Sequence, residues 1–242
     1  MTLEEECILS YYKKLTTIGG RNHVYLVQHT ETEKLYVRKD LSIYNRSIYE
    51  QIKANPVPNM PMIYECIEEK EQLIVIEEYI HGSSMEQLFQ ERGPFPEDLI
   101  CFCMRILCDT LHYLHAQSPP IIHRDIKPSN ILLTNEGMVK LIDINIAKSY
   151  KDGEAQDAQC MGTAEFAAPE QYGLGQSDVR TDIYAIGVAM NYMLCGEFPA
   201  KKLYQGKIGP IIKKCTESEP QKRFQNVAEL YEELMKAEKW KK

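Results

Sequence analysis

The run His123-Arg124-Asp125-Ile126-Lys127-Pro128-Ser129-Asn130 places a carboxylate, a cation and an amide within one short stretch, and Asp143 adds a second carboxylate thirteen residues after Asn130. A carboxylate in such a set can accept a proton from a hydroxyl. Carboxylate and amide oxygens are also the hard ligands that Mg²⁺ takes, one or two from protein and the rest from phosphate and water. A lysine beside them suits a transferring phosphoryl group, whose chemistry asks for alignment and charge neutralisation and little covalent work. The competing reading is a solvated polar loop.

These residues resemble the eukaryotic-type (Hanks-type) protein kinase family, in its serine/threonine branch, whose signature has the same types at the same spacing. The resemblance implies ATP- and Mg²⁺-dependent transfer of the γ-phosphoryl group to Ser or Thr hydroxyls of a protein substrate. It assigns Asp125 as the acceptor of the hydroxyl proton, Lys127 to the γ-phosphoryl group and Asn130 and Asp143 to the metal. Lys127 two residues after Asp125 is similar to Ser/Thr kinases and unlike the usual tyrosine-kinase loop. Gly162-Thr163-Ala164-Glu165-Phe166-Ala167-Ala168-Pro169-Glu170 resembles the end of the activation segment, with Thr163 hydrogen-bonding near Asp125 and Lys127. The family also implies structural roles for His123 and Arg124, a buried Glu170–Arg223 pair, and Asp182 as a brace for the backbone of the loop.

Upstream, Lys39 stands where the family carries the strand lysine that binds the α and β phosphates. Its expected partner is Glu50, the acidic residue inside the short helical window that follows. Glu77 is a second candidate, because a buried carboxylate needs a partner and Lys39 is the nearest cation the family fold offers. Ile18-Gly19-Gly20-Arg21-Asn22 occupies the place of the phosphate-covering loop, shorter than usual and with Asn22 for the last glycine. Nucleotide contacts are implied for Ile18, Gly19, Gly20, Val24, Val37, Glu77, Glu78, Ile80 and Leu132, with backbone groups of Glu78 and Ile80 facing adenine.

Two departures bear on regulation. The metal motif reads Asp143-Ile144-Asn145, keeping the ligand and putting Asn, the residue most tolerant of positive φ after glycine, in the glycine position. Between Asp143 and Thr163 the hydroxyls are Ser149 and Tyr150, and the acidic Asp152, Glu154 and Asp157 suggest that Asp157 stands in for a phosphate on Arg124. The alternatives are a pseudokinase scaffold without turnover, suggested by these departures, and a small-molecule phosphotransferase of related fold, which generally lacks Lys127 and Ala168-Pro169-Glu170.

The elements that must position these residues change character along the chain. Thr16–Val27, Lys34–Leu41 and Leu73–Tyr79 are β-rich, while Pro56, Pro58 and Pro61 confine any intervening helix to Ser42–Ala54. Helical patterns follow at Ser84–Gln90, Glu97–Ala116, Thr181–Leu194, Ile208–Cys215 and Val227–Trp240. The expected class is α+β, a bilobal protein kinase-like fold with a small β-rich N-lobe (about 1–79), a hinge (about 78–82) and a larger helical C-lobe (about 83–242).

Charged residues at 26% and hydrophobic residues at 44% are ordinary globular usage. A net charge of -7 argues against nucleic acid as a partner, which needs a basic face. The eight cysteines are scattered, often in apolar runs, and read as reduced core residues without zinc-ligand spacing. The N-terminus lacks a signal peptide's basic start and apolar run, and no stretch is long and apolar enough to span a membrane, so the expected location is cytoplasmic.

Overall fold

The computed structural model describes residues 1–19, 23–150, 162–173 and 175–239, which fall into two compact units, Met1–His81 and Gly82–Lys242. Gly20, Arg21 and Asn22 of the expected phosphate-covering segment, the acidic run with Asp157, Cys160 and Trp240 lie outside the described residues.

The first unit opens with α1 (Leu3–Ser10), a helix the sequence reading did not anticipate. Thr2 and Glu5 cap it by bonding each other's backbone N–H groups. Five strands follow: β1 (Tyr12–Thr17), β2 (Val24–His29), β3 (Leu35–Leu41), β4 (Ile63–Glu69) and β5 (Gln72–Glu78). They form an antiparallel sheet in the order β1-β2-β3-β5-β4. The β-rich stretch from Thr16 to Val27 thus takes in the end of one strand and the start of a second, with Ile18 N–H donating to Val24 O at 3.0 Å. Leu9 of α1 packs with Ile67, Ile74 and Ile76. Helix α2 (Arg46–Ala54) fits the window left by the prolines and buries Ile48, Tyr49 and Ile52.

The second unit begins with β6 (Gly82–Ser84), α3 (Met85–Arg92) and α4 (Glu97–His115), followed by short strands β7 (Ile121–Ile122), β8 (Ile131–Thr134), β9 (Val139–Leu141) and β10 (Lys148–Ser149). Helices α5 (Val179–Cys195), α6 (Gly209–Cys215) and α7 (Val227–Lys239) complete it. Helix α4 buries Met104, Leu107, Leu111 and Leu114 on a helical stripe, whereas α5 is buried nearly all round and runs through the core. Where α5 meets α6 the backbones come so close that a Cβ on Gly187 would lie 2.5 Å from that of Cys215. Cys101, Cys103, Cys108 and Cys215 are buried, and burial pushes their thiols up, that of Cys103 to about 12. Cys7 is exposed and Cys66 and Cys195 are half-buried, so the reading of every cysteine as core was too broad. Among the described residues no helix is long and apolar enough to cross a membrane.

Candidate functional site

Strand β7 ends at Ile122 and β8 starts at Ile131, so His123–Asn130 must turn back within one loop. Pro128–Asn130 closes it as a single 3₁₀ turn, with Asn130 N–H donating to Lys127 O at 2.9 Å. This brings the Asn130 amide onto Asp125: Nδ2 donates to the Asp125 carbonyl at 2.8 Å and to its Oδ2 at 2.9 Å. Lys127 Nζ donates to Asp125 Oδ2 at 2.8 Å and to Thr163 Oγ1 at 2.6 Å, while that hydroxyl donates to Asp125 Oδ1 at 2.9 Å. Lys127, Thr163 and Asn130 thereby orient both oxygens of one carboxylate with charge-assisted hydrogen bonds. The Asp125 and Lys127 side chains each keep 12% of their surface exposed, so the carboxylate is held and still reachable.

Asp143 follows β9 and is tied to the loop where Ile142 N–H donates to Asn130 O at 2.9 Å. It is buried with φ 72°, and Ile144 beside it is buried too. Positive φ therefore sits on Asp143, and Asn145 is not among the positive-φ residues, contrary to the expectation that Asn145 takes the glycine-like conformation. Arg124 also holds φ 69°. Left-handed backbone costs a non-glycine residue roughly 1–2 kcal/mol, so both positions must be held by their surroundings.

The holding group for Arg124 is Asp182, in the first turn of α5, whose Oδ1 accepts from Arg124 N–H at 2.8 Å and Oδ2 from His123 N–H at 3.0 Å. His115, in the last turn of α4, sits 2.8 Å from Oδ2 through Nε2. Burial alone would push this carboxyl up; the His115 bond, the two neighbouring imidazoles and the backbone bond to Arg124 hold it below its usual range. On the other side of the loop, Gln171 Nε2 donates to Arg124 O at 2.9 Å while its Oε1 accepts from Ala168 N–H at 3.0 Å. A Cβ on Gly162 (φ 134°) would come 2.7 Å from that Gln171 nitrogen. His115 and Gln171 escaped sequence reasoning, since neither lies in the motif it serves. Further back, Arg223 makes a two-pronged bond to Glu170, Nη1 to Oε1 at 2.7 Å and Nη2 to Oε2 at 2.9 Å. Thr181 Oγ1 adds a third donor to Oε1 at 2.8 Å.

His123 is fully buried, and its Nδ1 accepts from Asp125 N–H at 3.3 Å, which requires the neutral ring. Burial pushes its pKa down against the pull of Asp182, Asp125 and Asp143. A lowered folded value means the unfolded chain takes up a proton that the folded one refuses. The neutral ring's contribution to stability is thus complete above about pH 6.5 and falls away below it, by up to about 1.4 kcal/mol per pH unit. Urea unfolding at pH 7 and pH 5 should show a smaller loss of stability in His123→Phe than in the wild type; equal losses would refute the assignment.

In the first unit, Lys39 lies on the buried face of β3 with Val37 and Leu41. Antiparallel pairing sets Lys39 opposite Val75 and Val37 opposite Glu77 of β5. Lys39 and Glu77 are therefore diagonal neighbours on one face, a separation long side chains bridge. Their ion pair is 2.8 Å long and buried, with 6% and 9% of the side chains exposed. The expected Lys39–Glu50 pair is not formed. In α2 the stripe Ile48, Tyr49 and Ile52 faces the sheet, which turns Glu50 outward, where it pairs with Arg46 one turn back at 2.7 Å. Val24, Val37 and Glu77 are buried, Ile18, Glu78 and Ile80 half-buried, and Gly19 holds φ 67°. Glu78 N–H donates to Met62 O at 2.8 Å, which leaves that residue only its carbonyl for adenine. Leu132, in the second unit, is half-buried on β8 opposite Ser84.

The chain thus holds a carboxylate bridged to a lysine, an amide and a hydroxyl in its helical unit, and one antiparallel sheet in its other unit. A sequence profile for the protein kinase domain matches residues 12–239, and the chain belongs to the protein kinase family. It is 27% identical over 255 residues to a probable serine/threonine-protein kinase of Clostridium perfringens, covering 91% of this chain and 37% of that protein. It is 25% identical over 257 residues to the serine/threonine-protein kinase PknB of Mycobacterium leprae, covering 90% and 41%. Protein kinase 3 of Dictyostelium discoideum is 30% identical over 205 residues, covering 77% and 22%. The chain thus spans between 22% and 41% of the length of these relatives.

Proposed function

We propose that the chain transfers the γ-phosphoryl group of Mg·ATP to Ser or Thr hydroxyls of a protein, and the observation that carries this is the Asp125 carboxylate fixed by Lys127, Thr163 and Asn130. Asp125 takes the proton of the acceptor hydroxyl as its oxygen bonds to the γ-phosphorus and the bond to the ADP oxygen breaks. Lys127, positioned by the same carboxylate, neutralises charge on the phosphoryl oxygens. Both Asn130 Nδ2 contacts go to Asp125, so the amide offers Oδ1 as a hard oxygen; Asp143 adds a carboxylate. That pair of hard oxygens fits Mg²⁺; Asn130 and Asp143 would hold the ion, which when bound would offset negative charge on the phosphates. In the first unit Lys39 binds the α and β phosphates, with Ile18, Gly19, Val24, Val37 and Ile80 beside the nucleotide. Serine/threonine selectivity is supported by Lys127 and by the names of the relatives.

The pair on Lys39 gives a test within this reading. Glu77→Gln removes the charge 2.8 Å from Lys39 and should weaken Mg·ATP binding about tenfold or more, whereas Glu50→Gln, exposed on α2, should leave it within about twofold. The reverse ranking in a nucleotide titration would return the role to Glu50. The Asp143-Ile144-Asn145 departure favours the second reading, a nucleotide-binding scaffold without turnover. ADP release from Mg·ATP with a mixed peptide and protein acceptor pool, wild type against Asp125→Asn, separates the two: turnover lost in the variant supports the kinase, and none in either supports the scaffold.

A further inference from the structure

We propose that a groove beside Thr163 selects a basic side chain, arginine before lysine, close in sequence to the acceptor Ser or Thr; this rests on the protein-kinase reading above. The groove, about 330 Å³, lies wholly in the second unit and is lined by Lys127 and Thr163 of the proton-accepting cluster together with Glu86, Glu165, Phe166, Tyr192 and Phe198. An acceptor whose hydroxyl reaches Asp125 therefore carries neighbouring residues into it, since extended chain advances only about 3.3–3.6 Å per residue.

Its walls are aromatic faces and carboxylates. Tyr192 stacks on Phe198 with centroids 5.3 Å apart and an interplanar angle of 24°, and Phe166 stands edge-on to both, 5.9 and 5.4 Å away. Phe89 backs Tyr192 at 4.9 Å. The Tyr192 hydroxyl donates to Glu86 Oε1 at 3.4 Å, and Gln90 donates to the same oxygen at 3.0 Å. Neither Glu86 nor Glu165 forms an ion pair among the described residues, and the lysine lining the groove, Lys127, is already engaged by Asp125 and Thr163.

The walls are also fixed before any guest arrives. Asn191, buried next to Tyr192 on α5, donates through Nδ2 to Glu197 O at 2.6 Å and Lys202 O at 2.9 Å, and its Oδ1 accepts from Tyr204 N–H at 2.8 Å. These bonds hold the loop that carries Phe198 against Tyr192. A guanidinium meets both demands of such a site, stacking its plane on the rings while its N–H groups reach the carboxylates. An apolar guest would desolvate Glu86 and Glu165 without compensation, and an acidic one would add repulsion.

The test uses the full chain and a Ser peptide set in which each position flanking the acceptor is in turn arginine, norleucine or glutamate. Binding is read without nucleotide by fluorescence anisotropy, then kcat/KM by ADP release with Mg·ATP. Arginine at one or two positions should exceed norleucine about tenfold in both readouts, and Glu86→Gln/Glu165→Gln should bring the ratio close to one. Tyr192→Leu should lower the ratio while glutamate peptides remain the poorest. Turnover with no arginine preference, or with norleucine or glutamate preferred, overturns the inference and leaves the kinase reading standing. Arginine-selective binding that Glu86→Gln/Glu165→Gln abolishes, with no turnover of any acceptor, upholds the groove and removes the kinase reading.

Discussion

Asp125→Asn should cut acceptor-dependent ADP release by about 10²- to 10⁴-fold, the usual contribution of a positioned general base, while nucleotide affinity and thermal unfolding stay near wild type. The surrounding bonds explain why the loss is selective. Asp125 Oδ2 accepts from Lys127 Nζ and Asn130 Nδ2, so an amide nitrogen there would face two donors. The substituted amide must therefore point its oxygen at Lys127 and Asn130 and its nitrogen at Thr163, whose hydroxyl oxygen can accept in place of donating. The loop keeps its geometry and loses only its proton acceptor. Thr163→Ala removes one orienting bond and leaves the carboxylate, so it should cost less in kcat. A Thr163→Ala loss as deep as that of Asp125→Asn would mean the hydroxyl, and not the carboxylate, is essential.

Arg223→Ala should destabilise the second unit by about 3–5 kcal/mol, the cost of leaving one partner of a buried ion pair behind, read as a fall of about 10 °C or more in Tm. Glu170 would keep only Thr181 among the donors described here. Arg223 also donates to the carbonyls of Glu217, Ser218 and Arg180, and its guanidinium lies 4.8 Å from the centre of the Tyr184 ring. For that reason Arg223→Lys should recover little: an ammonium cannot reproduce a planar fork that serves two carboxylate oxygens and three carbonyls. Removing both charges should not restore the wild-type Tm either, since those three carbonyls would still lack their donor. A Tm change under about 2 °C for Arg223→Ala would show that the pair is incidental.

The residues around Asp125 were legible because each sits within six residues of it or inside a second short motif, and the turn at Pro128 leaves the chain few ways to fold between them. The helices of the second unit were legible from their apolar spacing, with ends that coincide or are displaced by one or two residues where caps such as Asp178 and Gly196 decide them. What the sequence hid was pairing across elements. Choosing Glu77 over Glu50 required knowing which side of α2 faces the sheet and that β5, not β4, lies beside β3; neither is encoded locally. His115 and Gln171 were missed for the same reason, one being a helix-end histidine that acts on the Asp182 carboxylate and the other a polar residue after Pro169-Glu170 that acts on the Arg124 carbonyl, each far away in the chain. Helix α1 was missed because it has almost no apolar face of its own, burying one residue, Leu9.

The left-handed backbone at Arg124 and Asp143 places this chain under two opposed selections. Pressure for heat resistance alone favours glycine at such positions, because it releases conformational strain. Pressure for turnover, if the metal-ligand role proposed for Asp143 holds, keeps the carboxylate there. The durability of the loop is then capped by its own chemistry, and variants that outlast the parent must find their gains in helices and caps remote from the carboxylate cluster.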